Sequence, residues 1–300
     1  SVGTIIGTPP NALLVAYMKN EFNIEIGFFD WMLVGVPLSV VMLAACWFLL
    51  TYVLFRPEIG EIPSGKKIIQ DELDKLGPIT IPEKLVGVIF VAAATCWISL
   101  GFILKSFDVK IASLDAIIAM STAILLFIVP ANKSGERLID WDSAKKLPWD
   151  ILILFGGGLS LSAQFSSSGL SLWIGHQVSA LGALPIAAII MAVVALVIFL
   201  TEITSNTATA AAFLPVIAGV SAGLGYAGAN VMIFTIPVAM AATFAFMLPV
   251  ATPPNAIAYG SGYVKISSMI KAGIWLNITG TFLITAAVVF IASAVFGLKI

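Results

Sequence analysis

The chain has 300 residues, 60% of them hydrophobic and 10% charged, with a mean hydropathy of +1.06; its 15 Lys and Arg nearly balance 16 Asp and Glu, for a formal charge of −1. A soluble domain is roughly 45–50% apolar and about 25% charged, so the composition excludes a water-soluble enzyme and a disordered chain, and without a basic excess no nucleic-acid partner is expected. Two cysteines and one histidine exclude a disulfide framework or a His/Cys metal cage, which leaves an all-α integral membrane protein whose solvent is largely lipid.

The first element is a break. Gly7-Thr8-Pro9-Pro10-Asn11 places two prolines in succession, and we read an unwound loop over residues 7–11. The chain opens at Ser1 with no initiator Met and no signal-peptide pattern, and its first residues have the character of a motif interior, so part of a longer protein is expected. A bilayer core of about 30 Å takes roughly 20 apolar residues as a helix, and Phe29 to Phe55 is the first such run. The polar stretch over 56–82 follows. Within it, Lys66 to Leu76 sets Ile68, Ile69, Leu73 and Leu76 on one face, an amphipathic interfacial helix linking two bundles.

Spans are next expected over Leu85 to Leu104, Leu114 to Ala131 and Leu147 to Ile174. Cys46 and Cys96 sit in apolar runs and read as small hydrophobes. Gly156-Gly157-Gly158 lacks a following Gly-Lys-Ser/Thr, so close helix packing is the reading rather than a phosphate loop; Gly219 and Gly223 form a second small-residue face. His176 falls at a span end and reads as a surface group.

The runs Leu184 to Leu200 and Thr207 to Leu224 are short, and polar Thr201-Glu202-Ile203-Thr204-Ser205-Asn206 separates them. Irregular backbone at membrane depth is tolerated only where protein or a cavity surrounds it, so residues 184–224 read as a re-entrant hairpin with its tip near the midplane. Between Val231 and Tyr263, Pro249 and then Ala251-Thr252-Pro253-Pro254-Asn255 forbid a continuous helix, which makes this a discontinuous helix with an unwound middle. Lys265 and Lys271 mark a loop before a last span over Ile274 to Phe296. Lys and Arg also gather over 56–84 and 132–146, and placing all three loops in the cytoplasm gives a consistent topology with the C-terminus outside.

Thr-Pro-Pro-Asn-Ala occurs twice, at 8–12 and 252–256. Paired interrupted helices in corresponding positions are the sign of a transporter built from inverted repeats, with its site at their interface. From Ile151 to Val264 the one Asp, Glu, Lys or Arg is Glu202, in the hairpin tip; an ionisable residue inside the membrane is a candidate functional group, with a structural hydrogen-bonding role as the alternative. Thr201, Thr204, Ser205, Asn206 and Thr207 offer neutral oxygens that suit a hard cation. Helices starting near Asn206 and Asn255 should offer amide donors to a carboxylate. With no Lys or Arg in this stretch, a multiply charged anion needs cations beside it, hence Na⁺ coupling.

Thr201 to Thr207, Leu248 to Ile257 and Leu147 to Gly158 together resemble the divalent anion:sodium symporter family (DASS, or INDY-type), over nearly the whole chain. The resemblance implies an elevator-type transporter that couples Na⁺ to uptake of a C4-dicarboxylate such as succinate, malate or fumarate, with exchange or a sulfate or citrate substrate as alternatives within the family; an ion channel is the reading outside it. No enzyme activity and no cofactor is implied. By motif, Thr201, Thr204 and Asn206 with Ala251 and Pro253 resemble a second sodium site, and Gly7 belongs to what resembles the first, whose Ser-Asn-Thr tip should precede Ser1. Asn206, Thr207 and Ser205 with Thr252 and Pro253 resemble one side of the substrate site; Thr8 and Pro9 resemble part of the other. The resemblance further implies a homodimer in a bacterial inner membrane. Residues 1–55 and 179–300 would be transport domain, 83–178 mainly scaffold.

Overall fold

The computed structural model describes residues 1–56, 65–107, 111, 113–132, 135–147, 149–178 and 184–299. Among them the chain is helical, with one isolated bridge between Pro130 and Arg137. The helices are α1 (Pro9–Phe22), α2 (Phe28–Phe48), α3 (Gly65–Leu76), α4 (Ile81–Ser106), α5 (Leu114–Ile128), α6 (Trp141–Ala144), α7 (Trp149–Ser167), α8 (Leu170–Val178), α9 (Ile186–Thr201), α10 (Asn206–Gly223), α11 (Met232–Ala241), α12 (Pro253–Gly260), α13 (Ile266–Ala286) and α14 (Ser293–Phe296). Turns of π-helix continue α2 over Leu49–Leu54 and join α13 to α14 over Ala287–Ala292.

Among the described residues four helical runs are long and apolar enough to cross a membrane: Phe28–Leu54, Ile81–Gly101, Asn206–Gly223 and Ile266–Phe296. The outward faces of Val40, Leu43 and Phe290 are apolar and exposed, as lipid contact requires. Several expected spans come out differently. The run over 147–174 is interrupted where Gly169 takes φ +75°, giving α7 and α8. The 114–131 run is a helix of 15 residues. The final helix starts at Ile266 rather than 274, which puts Lys271 inside α13 and leaves Lys265 as its N-cap.

Contacts divide the chain into two units. One comprises 1–26, 30–55 and 149–300. Its centre is α11, all ten of whose residues are buried, as expected of a helix apolar on every side. Around it lie α1, α9, α10 and α13. Helix α10 also packs on α7 and α8: an added Cβ at Gly158 would meet the Ala211 side chain at 2.6 Å, and one at Gly175 would meet the Gly219 carbonyl at 2.5 Å. Residues 149–178, which the sequence reading groups with the preceding spans, therefore share the compact unit of the hairpin. The glycines at 158, 219 and 223 serve helix packing.

The second unit comprises 27–29 and 56–148. In it α4 packs on α5, and the Trp97 indole donates to the Asp115 carbonyl at 3.3 Å. Helix α3 leaves Ile69, Leu73 and Leu76 exposed on one face. Residues 57–64 of the linker, Lys133 and Pro148 lie outside the described residues, as do the side chains of Lys66, Lys67 and Ile68.

Candidate functional site

Helix α9 ends at Thr201, Glu202 to Ser205 make the turn, and α10 restarts at Asn206, so the polar residues of the tip cannot avoid sitting between two apolar arms. The Thr201 hydroxyl is buried, 2.8 Å from Asn206 Oδ1 and 2.9 Å from the Ala242 carbonyl. Its single proton can serve one acceptor at a time, so three oxygens converge on one proton. Thr204 is exposed, its hydroxyl 3.0 Å from the Leu200 carbonyl and 2.6 Å from Thr209 Oγ1.

The α10 start is open. Ser205 is its N-cap without a side-chain cap, and the amides of Asn206, Thr207 and Ala208 have no acceptor among the described residues. The α12 start is closed: Pro253 and Pro254 have no N–H, and the third amide, on Asn255, donates to Thr252 Oγ1 at 3.3 Å. The expectation of free donors near Asn255 is thus corrected; the second proline and the threonine cap remove them. Thr252 keeps its own hydroxyl proton.

The unwound segment between α11 and α12 begins at Ala242, seven residues before the first proline that predicts it. It is shaped by hydrogen bonds from both sides. Asn255 Nδ2 donates to the Ala245 carbonyl at 2.9 Å and to the Leu248 carbonyl at 3.1 Å. Glu202, 3% exposed, accepts from the segment's amides: Oε1 from Phe246 at 2.7 Å and Met247 at 3.0 Å, Oε2 from Met247 at 3.0 Å and Leu248 at 3.2 Å. Asn277 Nδ2 of α13 adds a bond to Oε1 at 2.8 Å. Of the two roles the sequence left open for Glu202, these contacts describe the hydrogen-bonding one.

The N-terminal loop repeats the local plan. Asn11 Nδ2 donates to the Ser1 carbonyl at 3.3 Å and the Thr4 carbonyl at 2.9 Å, the same 10 and 7 residues upstream as for Asn255. Gly7 and Ala251 each donate their amide three residues back, at 3.1 and 3.2 Å, and Thr8 and Thr252 are both extended before a proline that opens a helix. Each loop also lies against a glycine eight residues into the next long helix. A Cβ on Gly35 would collide with the Val2 carbonyl, and one on Gly273 would sit 2.5 Å from Met247 Cα.

The structure thus joins Thr201 and Glu202 to the unwound segment, holds Asn206 to Thr201 within the tip, and ties Asn255 into the segment. Among the described residues there is no bond from Ala251, Pro253, Thr204, Ser205 or Thr207 to the opposite element, and none from Gly7, Thr8 or Pro9 to the hairpin. Sequence reasoning missed Ala242, Thr209 and Asn277. Asn277, an amide inside an apolar run, carried a readable signal; the Ala242 carbonyl carried none.

The family described as the sodium:sulfate symporter transmembrane region matches residues 1–297. The sodium-dependent dicarboxylate transporter SdcS of Staphylococcus aureus is 42% identical in strain USA300 and 43% in strain MRSA252, over all of this chain and 57% of each relative. The chain therefore spans little more than half the length of the curated relatives it matches.

Proposed function

We propose, from the premise that this chain belongs to the sodium:sulfate symporter family, that the protein containing it couples Na⁺ to uptake of a C4-dicarboxylate across a bacterial inner membrane. The family and the SdcS relatives carry the names of transporters, not enzymes. The observation that carries the reading is the junction of hairpin tip and unwound segment, where Thr201 Oγ1, Asn206 Oδ1 and the Ala242 carbonyl meet around one proton. A hard cation seated among them would take a lone pair from each of the three oxygens, the Thr201 hydroxyl keeping its proton and turning it away from the ion.

By the family resemblance sodium is assigned to Thr201, Thr204 and Asn206 with Ala251 and Pro253, to which the structure adds the Ala242 carbonyl beside Thr201, and a second ion is assigned to the loop of Gly7. One substrate carboxylate binds the open amides at the α10 start, beside Ser205, Asn206 and Thr207, with Thr252 and Pro253 across from it; Thr8 and Pro9 face the other carboxylate. Two unit charges 4 Å apart interact by about 4 kcal/mol at an effective dielectric of about 20. That attraction makes bound Na⁺ the counter-charge for a dianion in a stretch without Lys or Arg. The shared plan of the two loops supports inverted repeats. Movement of the hairpin unit as an elevator in a homodimer follows from the family resemblance.

Proteoliposomes holding the full-length protein test this. Succinate uptake should follow an imposed Na⁺ gradient and saturate with succinate. Uptake indifferent to Na⁺ but driven by internal dicarboxylate would replace symport with exchange; voltage-scaled current without saturation would make it a channel.

A further inference from the structure

Glu202 is the one buried carboxylate among the described residues, and it makes five hydrogen bonds, four of them to three consecutive backbone amides. A carboxylate has about four lone-pair sites. Both oxygens are therefore filled by donors, which leaves Glu202 no vacancy for a cation and leaves the amides of Phe246, Met247 and Leu248 closed to a substrate carboxylate. We infer that Glu202 is a positioning residue for cation binding: it locks segment 246–248 to the hairpin tip and so fixes where the oxygens of Thr201, Asn206 and Ala242 converge. The inference rests on the transport reading above.

The geometry gives the mechanism. With three successive amides turned toward one carboxylate, the carbonyls on either side are free to face elsewhere, and Asn255 gathers those of Ala245 and Leu248. Thr201, the residue before Glu202, holds the Ala242 carbonyl at the start of the same segment. Two adjacent residues of the tip thus grip the segment four to six residues apart, and displacing one grip moves the other. Asn277 supports the clamp from α13. Its amide must turn Nδ2 toward the carboxylate, which leaves its buried Oδ1 without a partner.

Glu202→Gln tests the clamp, because it keeps the volume and sets an –NH₂ or a weaker carbonyl acceptor against backbone donors. In full-length protein reconstituted for succinate uptake, the half-saturating Na⁺ concentration should rise by about 10–100-fold, the range expected for losing a charged acceptor. Hydrogen exchange of a peptide covering 246–248 should speed up while one covering 2–4 stays unchanged. Glu202→Asp, one methylene shorter with its charge intact, should fall between. A folded Glu202→Gln variant with the wild-type Na⁺ curve overturns the inference, whatever its maximal rate. Should that variant not fold, Asn277→Ala removes a single donor and should shift the Na⁺ constant a few-fold; an unchanged constant there also overturns it. If wild-type uptake itself ignores Na⁺, the transport reading fails, and the exchange contrast at 246–248 alone decides whether Glu202 holds the loop.

Discussion

The loop pinned by Asn11 and the loop pinned by Asn255 are alike inside and unlike outside. In both, one asparagine amide spans the carbonyls 10 and 7 residues back, two prolines open the next helix, and a glycine on a later helix makes room for the backbone. Outside, the second loop is gripped by the Glu202 carboxylate, whereas the first is held through the Trp31 indole, which donates to the Val2 carbonyl at 2.8 Å. One loop is thus fixed by its amides and the other by a carbonyl. The internal plan gives an unwound backbone hydrogen bonds of its own, and the external tie decides which polarity the loop leaves over for other partners.

The largest expected effect comes from removing the tip's amide oxygen beside the residue that holds the second loop. Asn206→Ala deletes the Oδ1 beside Thr201 and a residue of the open α10 start, and Na⁺-driven uptake should fall to background; near-normal uptake refutes the site. Next, Asn11→Ala and Asn255→Ala compare the internal plan directly. Each loses two hydrogen bonds, and the fully buried Asn11 should cost about 2–3 kcal/mol of unfolding free energy, more than half-buried Asn255. Equal costs, read by unfolding in detergent, would show that burial does not set the difference. Gly35→Ala and Gly273→Ala should each destabilise by about 1–3 kcal/mol, since the added methyl meets backbone rather than a yielding side chain. A thermal midpoint unmoved by either would show that the loops do not rest on these glycines. Smallest is Trp31→Phe, which removes one donor from the Val2 carbonyl at about 1 kcal/mol. Its exchange signature should be confined to the first loop, and spread into 246–248 would mean the two ties are not independent.

Much of this architecture was legible residue by residue. Pro9, Pro10, Pro253 and Pro254 mark the helix starts, and polar 201–206 between apolar runs marks the tip. The boundaries were less so. Pro249 and the motif after it predict a break, yet α11 tolerates Pro237 and unwinds at Ala242, where Thr201 takes the carbonyl. Gly169, unremarkable in the sequence, splits a run expected to be one span, because its positive φ turns the chain there. Residues 149–178 read as neighbours of the spans before them, but glycine contacts with α10 place them in the hairpin's unit.

Hydrophobicity, a missing N–H and the lack of any second charge between 151 and 264 belong to single residues, so the sequence alone determined an apolar helical protein, the proline-marked helix starts at Pro9 and Pro253 and the neutral-oxygen chemistry of its tip. A hydrogen bond belongs to a pair. That the lone carboxylate would spend itself on amides 44 to 46 residues away, that Asn277 would face it, and that the α12 start would be closed while the α10 start stays open were decided only when packing brought donors to acceptors.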